Sequence, residues 1–107
     1  MTYKLHFLPQ VEEDVVVGYK WYEEKKVCLG EDFLRMFYAC TNRINLSPFL
    51  YRKVYGEFRR CLLRRFPYTI YFKIEDELIV IFGIFHSARN PKTIRMILLN
   101  REEKDDF

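Results

Sequence analysis

Apolar and polar positions alternate from Thr2 to Leu8, with Tyr3, Leu5 and Phe7 opposed to Thr2, Lys4 and His6. This period-two pattern predicts a β-strand. Pro9 follows, suited to the first turn of a helix, where its missing N–H costs nothing. Val11, Val15, Tyr19 (or Gly18) and Tyr22 then recur at helical spacing, leaving Glu12, Glu13, Lys20, Glu23 and Glu24 for solvent. The helix is expected to run to about Lys26, where two lysines favour the negative end of its dipole. Cys28-Leu29-Gly30 reads as a short break, with Gly30 able to take a positive φ. Glu31 and Asp32 suit the start of a second helix, whose apolar stripe is Phe33, Phe37, Cys40 and Ile44. Ser47-Pro48 stops it.

Three strand-like runs follow, 58–65, 68–75 and 78–86. Phe66-Pro67 joins the first two and Glu75-Asp76-Glu77 the last two, both short enough for antiparallel hairpins. The third run is apolar on both faces, so it is expected at the centre of the sheet, with helices covering one side and further residues the other. Pro91-Lys92 opens a last helical or irregular segment to Asn100, and residues 101–107 are expected to fray as a charged tail. The order β-α-α-β-β-β predicts an α+β domain spanning 1–107, a helical hairpin packed on a twisted, mainly antiparallel sheet.

Composition supports that reading. The chain has 107 residues, half of them apolar, including ten Phe and eight Tyr. One core burying roughly 65% of the unfolded surface is within reach of that length. The longest apolar run, 78–85, has the length of a strand and not of the ~20 residues that span a membrane. The N-terminus lacks a signal-peptide pattern, and the three cysteines form no C-x-x-C pair and have no histidine at zinc-ligand spacing. Buried thiols in a reducing cytoplasm, no metal and no cofactor are the expectations. Cys28, in the break between helices, could be exposed.

Charge sharpens the picture. The net +3 is segregated: 12–32 carry seven acidic and three basic residues, whereas 52–95 carry ten basic and four acidic ones. The second half therefore suits an acidic or phosphate-bearing partner, although solvated charges on strand edges give the same pattern. Arg59, Arg60, Arg64 and Arg65 flank Cys61-Leu62-Leu63. With period two, Arg60 and Arg64 share one face and Arg59 and Arg65 the other. Arg60 or Arg64 beside Arg89 would bind phosphate or carboxylate through paired hydrogen bonds; separate arginines shielding an edge strand is the alternative. His86, where the apolar strand meets the Arg89 loop, is suited either to general acid–base work or to a hydrogen bond that fixes the loop. The carboxylates of the first helix read as a solvated face, and Trp21-Tyr22 as packing at its core edge. No Gly-rich phosphate loop and no nucleophile motif is present.

The order of these features resembles the RelE/ParE superfamily of bacterial type II toxin–antitoxin toxins, nearest its ParE-like, plasmid-stabilisation branch. The residues that carry the likeness are Trp21-Tyr22-Glu23, Leu29-Gly30-x-x-Phe33, Ile44 to Pro48, Arg59-Arg60 through Arg65-Phe66-Pro67-Tyr68 with Ile70 and Tyr71, and His86-x-x-Arg89-x-Pro91. They span about residues 3 to 95. One departure is Leu8 before Pro9, where the family often has a capping Ser or Thr, and a slightly weaker helix start is expected.

The resemblance implies a cytoplasmic toxin neutralised by a cognate antitoxin, with no membrane partner and an undetermined oligomeric state. ParE-like members are described as blocking DNA gyrase without cutting nucleic acid; RelE-like members cleave mRNA in the ribosome. Thr69 stands where the RNA-cleaving branch tends to place an arginine, and no tyrosine follows Tyr71. Gyrase inhibition by binding is therefore the expectation, through Arg59, Arg60, Arg64, Arg65, His86 and Arg89. A ribosome-dependent endonuclease using Arg60, His86 and Arg89 is the alternative, and a non-toxic antitoxin-binding homologue a third.

Overall fold

Pro9 opens the first helix in the computed structural model, which describes residues 3–104. The order of elements is β1 (Lys4–Phe7), α1 (Pro9–Lys25), α2 (Leu29–Leu46), a 3-10 turn (Pro48–Leu50), β2 (Lys53–Tyr55), β3 (Phe58–Leu62), β4 (Tyr68–Glu75), β5 (Leu78–His86) and α3 (Pro91–Lys104). The strands lie in one sheet in the order β1-β5-β4-β3-β2. β1 runs parallel to β5 and every other neighbour is antiparallel. The α+β, mainly antiparallel architecture expected from the sequence is the observed one. Thr2, assigned to the first strand, lies outside the described residues, as do 105–107.

Both helices begin without a side-chain cap. Leu8 cannot supply one to α1, in keeping with the expected weaker start. For α2 a residue of the preceding helix does the work: the Glu23 carboxylate accepts hydrogen bonds from the backbone N–H groups of Cys28 and Gly30, both at 3.0 Å. A carboxylate at a helix N-terminus also opposes the dipole favourably. The positive φ in this break belongs to Cys28, at 72°, and not to Gly30. Gly30 is helical for a different reason. A Cβ there would sit 2.8 Å from both the Tyr19 carbonyl oxygen and its ring, so only glycine lets the two helices approach this closely.

The α2 stripe Phe33, Phe37, Cys40 and Ile44 is buried throughout, with α1 contributing Val11, Val15 and Gly18. Gly18, not Tyr19, takes the inward position, because the Phe33 ring occupies the space a side chain would need, 2.6 Å from a hypothetical Cβ. Phe33 then packs edge-on against Phe66 and Tyr68, with centroids 5.5 and 5.0 Å away. Truncating so buried a ring costs about 3–5 kcal/mol. β1 departs from its expected pattern, since Phe7 is 38% exposed and leans on Phe37 from the rim.

β5 is buried on both faces from Ile79 to Phe85, as a central strand should be. Its second cover is α3, which lays Ile94 and Leu98 on the face opposite the hairpin. The charged C-terminus does not fray over residues 101–104; it continues α3. Arg101 donates two bonds to the Asp14 carboxylate, at 2.8 and 3.0 Å, and one to the Phe82 carbonyl at 2.7 Å. Glu102 pairs with Lys73 of β4. These partners lie on other elements, which is why a run of charge read alone looks like a tail.

The β2–β3 hairpin, turning through Gly56 at φ 52°, is a further addition. β3 also ends sooner than expected, at Leu62. The chain reverses through Arg65, whose φ is 71°, and the Leu63 N–H donates to the Tyr68 carbonyl to close the turn.

Candidate functional site

The shortened β3 leaves two of the four arginines off the strand. Arg60 is on the strand, opposite Tyr71 of β4, which lies opposite Gly83 of β5. Arg64 and Arg65 lie beyond the strand, so strand pairing does not set their faces, but Arg59 and Arg65 both reach the helical side. Arg59 points to the helical side, donates to the Tyr51 carbonyl at 2.6 Å and lies 5.1 Å over the Phe49 ring. Arg65 reaches Asp32 of α2 at 3.5 Å and covers Phe66. Both therefore fasten the chain to itself, although Arg65 stays exposed, as Arg60, Arg64 and Arg89 are.

On the α3 face a row of rings crosses the strands. Tyr55 stacks on Tyr71 with centroids 6.1 Å apart, and Tyr71 meets Phe85 at 6.1 Å. Arginines border the row: Arg95 lies 5.8 Å over Tyr55, and Arg89 and Arg101 lie 5.4 and 5.2 Å from the Phe85 centroid. Arg60 contributes a further cation beside Tyr71. Burial holds the Tyr71 phenol above its usual range, with Tyr55 adding to the shift and Arg60 opposing it. Tyr71 and Phe85 are buried beneath the exposed arginines, so the result is a cationic face on a packed aromatic floor, suited to carboxylates or phosphates.

Gly83 makes this floor possible. A Cβ there would lie 2.7 Å from Arg101 Nη1 and from the Phe85 ring. A glycine inside an otherwise apolar strand is a sequence signal for such close approach. Tyr55, Phe85 and Arg95 were not singled out from the sequence, and Tyr71 only within the family resemblance; their shared face depends on β2 and α3, neither firmly marked there.

His86 is not on this face. It pairs in register with Tyr68, whose ring it meets edge-on at 5.2 Å on the helical side. Its Nδ1 accepts the Ala88 N–H at 3.0 Å and its carbonyl accepts the Arg89 N–H at 3.0 Å. The histidine thus fixes the loop, with Nδ1 as acceptor. The structure brings Arg60 and Arg89 to one aromatic row but holds the His86 ring on the other side of the sheet from Arg60. Thr69 is buried and shares a hydrogen bond with Ser87 at 3.2 Å. Arg89 also borders a hollow of about 290 Å³ with Val17, Tyr68 and His86, between α1 and the end of β5.

A second feature lies on the helices. Phe7, Val15, Val16, Leu34, Phe37 and Tyr38 line an open, apolar groove of about 410 Å³. Among the described residues no His, Cys, Asp and Glu side chains gather as a metal site, and no helix is long and apolar enough to cross a membrane.

This arrangement of hairpin, sheet and terminal helix is the fold of the RelE/ParE superfamily toxins. It superposes on the chromosomal ParDE toxin–antitoxin system from P. aeruginosa with a TM-score of 0.66 at 15% identity, over 79% of this chain and 96% of the other. The toxin–antitoxin complex RelBE2 from Mycobacterium tuberculosis aligns with a TM-score of 0.53 at 15% identity, over 80% and 99%. The archaeal RelE-RelB complex from Pyrococcus horikoshii OT3 gives 0.53 at 16%, over 84% and 100%. The family described as "ParE toxin of type II toxin-antitoxin system, parDE" matches residues 5–91, and the chain belongs to it. Toxin ParE2 of Mycobacterium tuberculosis, in strains CDC 1551 and H37Rv, is 26% identical over 102 residues, 94% of this chain and 97% of the relative.

Proposed function

We propose that this ParE-family toxin is neutralised by a cognate antitoxin and arrests growth by binding DNA gyrase, without cutting nucleic acid. The observation that supports a binding rather than a cleaving action is that the sheet separates the His86 ring, which shares a hollow with Arg89, from Arg60. RNA cleavage needs a base for the 2′-hydroxyl and an acid for the leaving group, aligned on one phosphate. The exposed cations Arg60 and Arg89 border the Tyr71–Phe85 floor, while the His86 ring is turned to the helical side and its Nδ1 is occupied by Ala88. Such a face offers exposed positive charge, which suits recognition of an acidic protein surface.

The antitoxin would be an acidic, amphipathic segment that folds as it binds, its apolar side in the groove between Phe7, Val16 and Tyr38. The solved relatives are themselves toxin–antitoxin systems or complexes, which supports a partner of this kind.

The direct test is a supercoiling assay with purified DNA gyrase. The toxin should inhibit it, the adjacent open reading frame's acidic product should restore it, and Arg60→Ala and Arg89→Ala should inhibit weakly. Codon-position cuts in mRNA with gyrase unaffected would instead establish the endonuclease.

A further inference from the structure

Two of the three cysteines meet in the core. Cys40 on α2 and Cys61 on β3 bring their sulfurs to 2.8 Å, although 21 positions separate them in the chain. Both are buried, at 0% and 2% exposure, so neither can reach a cysteine of another molecule. The remaining cysteine, Cys28, is exposed in the break before α2. We infer that Cys40 and Cys61 form an oxidisable dithiol, a modification site that takes a small hydroperoxide and closes to a disulfide joining α2 to β3.

The surroundings make the two thiols unequal. The Cys40 thiol donates to Cys61, which lowers the Cys61 pKa to about 7 against the opposing effect of burial; Tyr51, Arg43 and Arg64 also favour its thiolate. Cys40 is shifted the other way, upward, by the same hydrogen bond and by burial. Cys61, the one of the two that keeps any exposure and the one beside Tyr51 and Arg64, is the attacking sulfur and Cys40 the resolving one.

The reaction balances without a further reagent. The Cys61 thiolate attacks one oxygen of hydrogen peroxide, the O–O bond breaks, and Cys61 sulfenic acid forms with release of hydroxide. Cys40 sulfur then attacks the Cys61 sulfur, the S–O bond breaks, and the departing hydroxide leaves as water with the Cys40 proton. The other hydroxide is neutralised by the proton first lost from Cys61. Two thiols are oxidised, and one peroxide is reduced to two waters. A peroxide of water's size suits a buried pair better than a bulky disulfide does. The new bond would close the segment that carries the 3-10 turn, β2 and the start of β3.

The experiment uses the full chain with Cys28→Ser, a change at an exposed site. After hydrogen peroxide treatment, denaturation and alkylation, the intact mass should show loss of two hydrogens and no alkylated cysteine, reversed by dithiothreitol. Thermal melting of the oxidised chain should rise by on the order of 10 °C. Adding Cys40→Ser should stop the reaction at a Cys61 sulfenic acid that dimedone traps when the chain is denatured in its presence. Two alkylatable thiols remaining at peroxide doses that fully oxidise dithiothreitol, or oxygen added without the loss of hydrogens, would overturn the site. Dimedone capture at Cys40 in a Cys28→Ser/Cys61→Ser chain, and none at Cys61, would overturn the assignment of roles.

Discussion

Arg101, near the end of α3, and Asp14, in α1, meet in a two-pronged ion pair at the edge of β5 just past the point where β1 ends. Asp14 Oδ2 also accepts the Ile84 N–H at 3.3 Å, and Arg101 satisfies the Phe82 carbonyl. The pair therefore closes a stretch of sheet edge and ties the terminal helix to the first one. Both side chains are largely buried, at 13% and 14% exposure. Removing one partner strands the other charge, and Asp14→Ala should cost about 3 kcal/mol in urea unfolding. The double change Asp14→Ala/Arg101→Met should cost less than the sum of the single changes.

Gly83→Ala tests the floor of the candidate site. The added methyl meets Arg101 and the Phe85 ring, and the buried ring cannot swing clear. Overpacking of this kind should lower stability by roughly 1–3 kcal/mol and weaken inhibition of gyrase with it. A melting temperature equal to the parent's would show that the ring and guanidinium give way easily.

The arginines should separate by role. Arg60→Ala and Arg89→Ala should leave stability within about 0.5 kcal/mol and remove most growth arrest. Arg59→Ala, losing its bond to the Tyr51 carbonyl, should cost about 1 kcal/mol and retain arrest. His86→Ala should behave like Arg59→Ala, because its bond to the Ala88 N–H orders a loop. Paired melting curves and growth curves read both effects.

Much of this fold was legible because its signals are local and periodic. The stripe from Phe33 to Ile44 and the doubly apolar β5 could be assigned from spacing alone. β2 could not: three residues, Lys53, Val54 and Tyr55, hold too few alternations to mark a strand. Arg101 looked like part of a solvated tail because its partner is 87 positions away. The arginines of the site were visible, but their faces were not. β3 ends at Leu62 and the chain turns through the positive φ of Arg65, which charge and hydropathy do not foretell. The Glu23 and Gly30 motif residues owe their spacing to helix capping and close helix contact rather than to chemistry.

Alkaline pH should unfold the protein through its buried phenols. Burial raises the pKa of Tyr22, Tyr68 and Tyr71 above the usual 10.0 in the folded state. The unfolded chain therefore ionises first. Stability from these groups is fully present below about pH 10 and is lost as pH rises through the folded values. Melting temperature followed with phenolate absorbance should be flat to about pH 9.5 and then fall. Tyr71→Phe should reduce that slope, and an unchanged slope would remove Tyr71 from the account.

The central claim is arrest by gyrase binding through the Arg60–Arg89 face. It is tested most directly by inducing the toxin in growing cells and following plasmid supercoiling and protein synthesis separately in time. Loss of supercoiling and a DNA-damage response should come first, with Arg60→Ala and Arg89→Ala delaying both. Translation stopping first, with supercoiling intact and mRNA cut, would contradict the account.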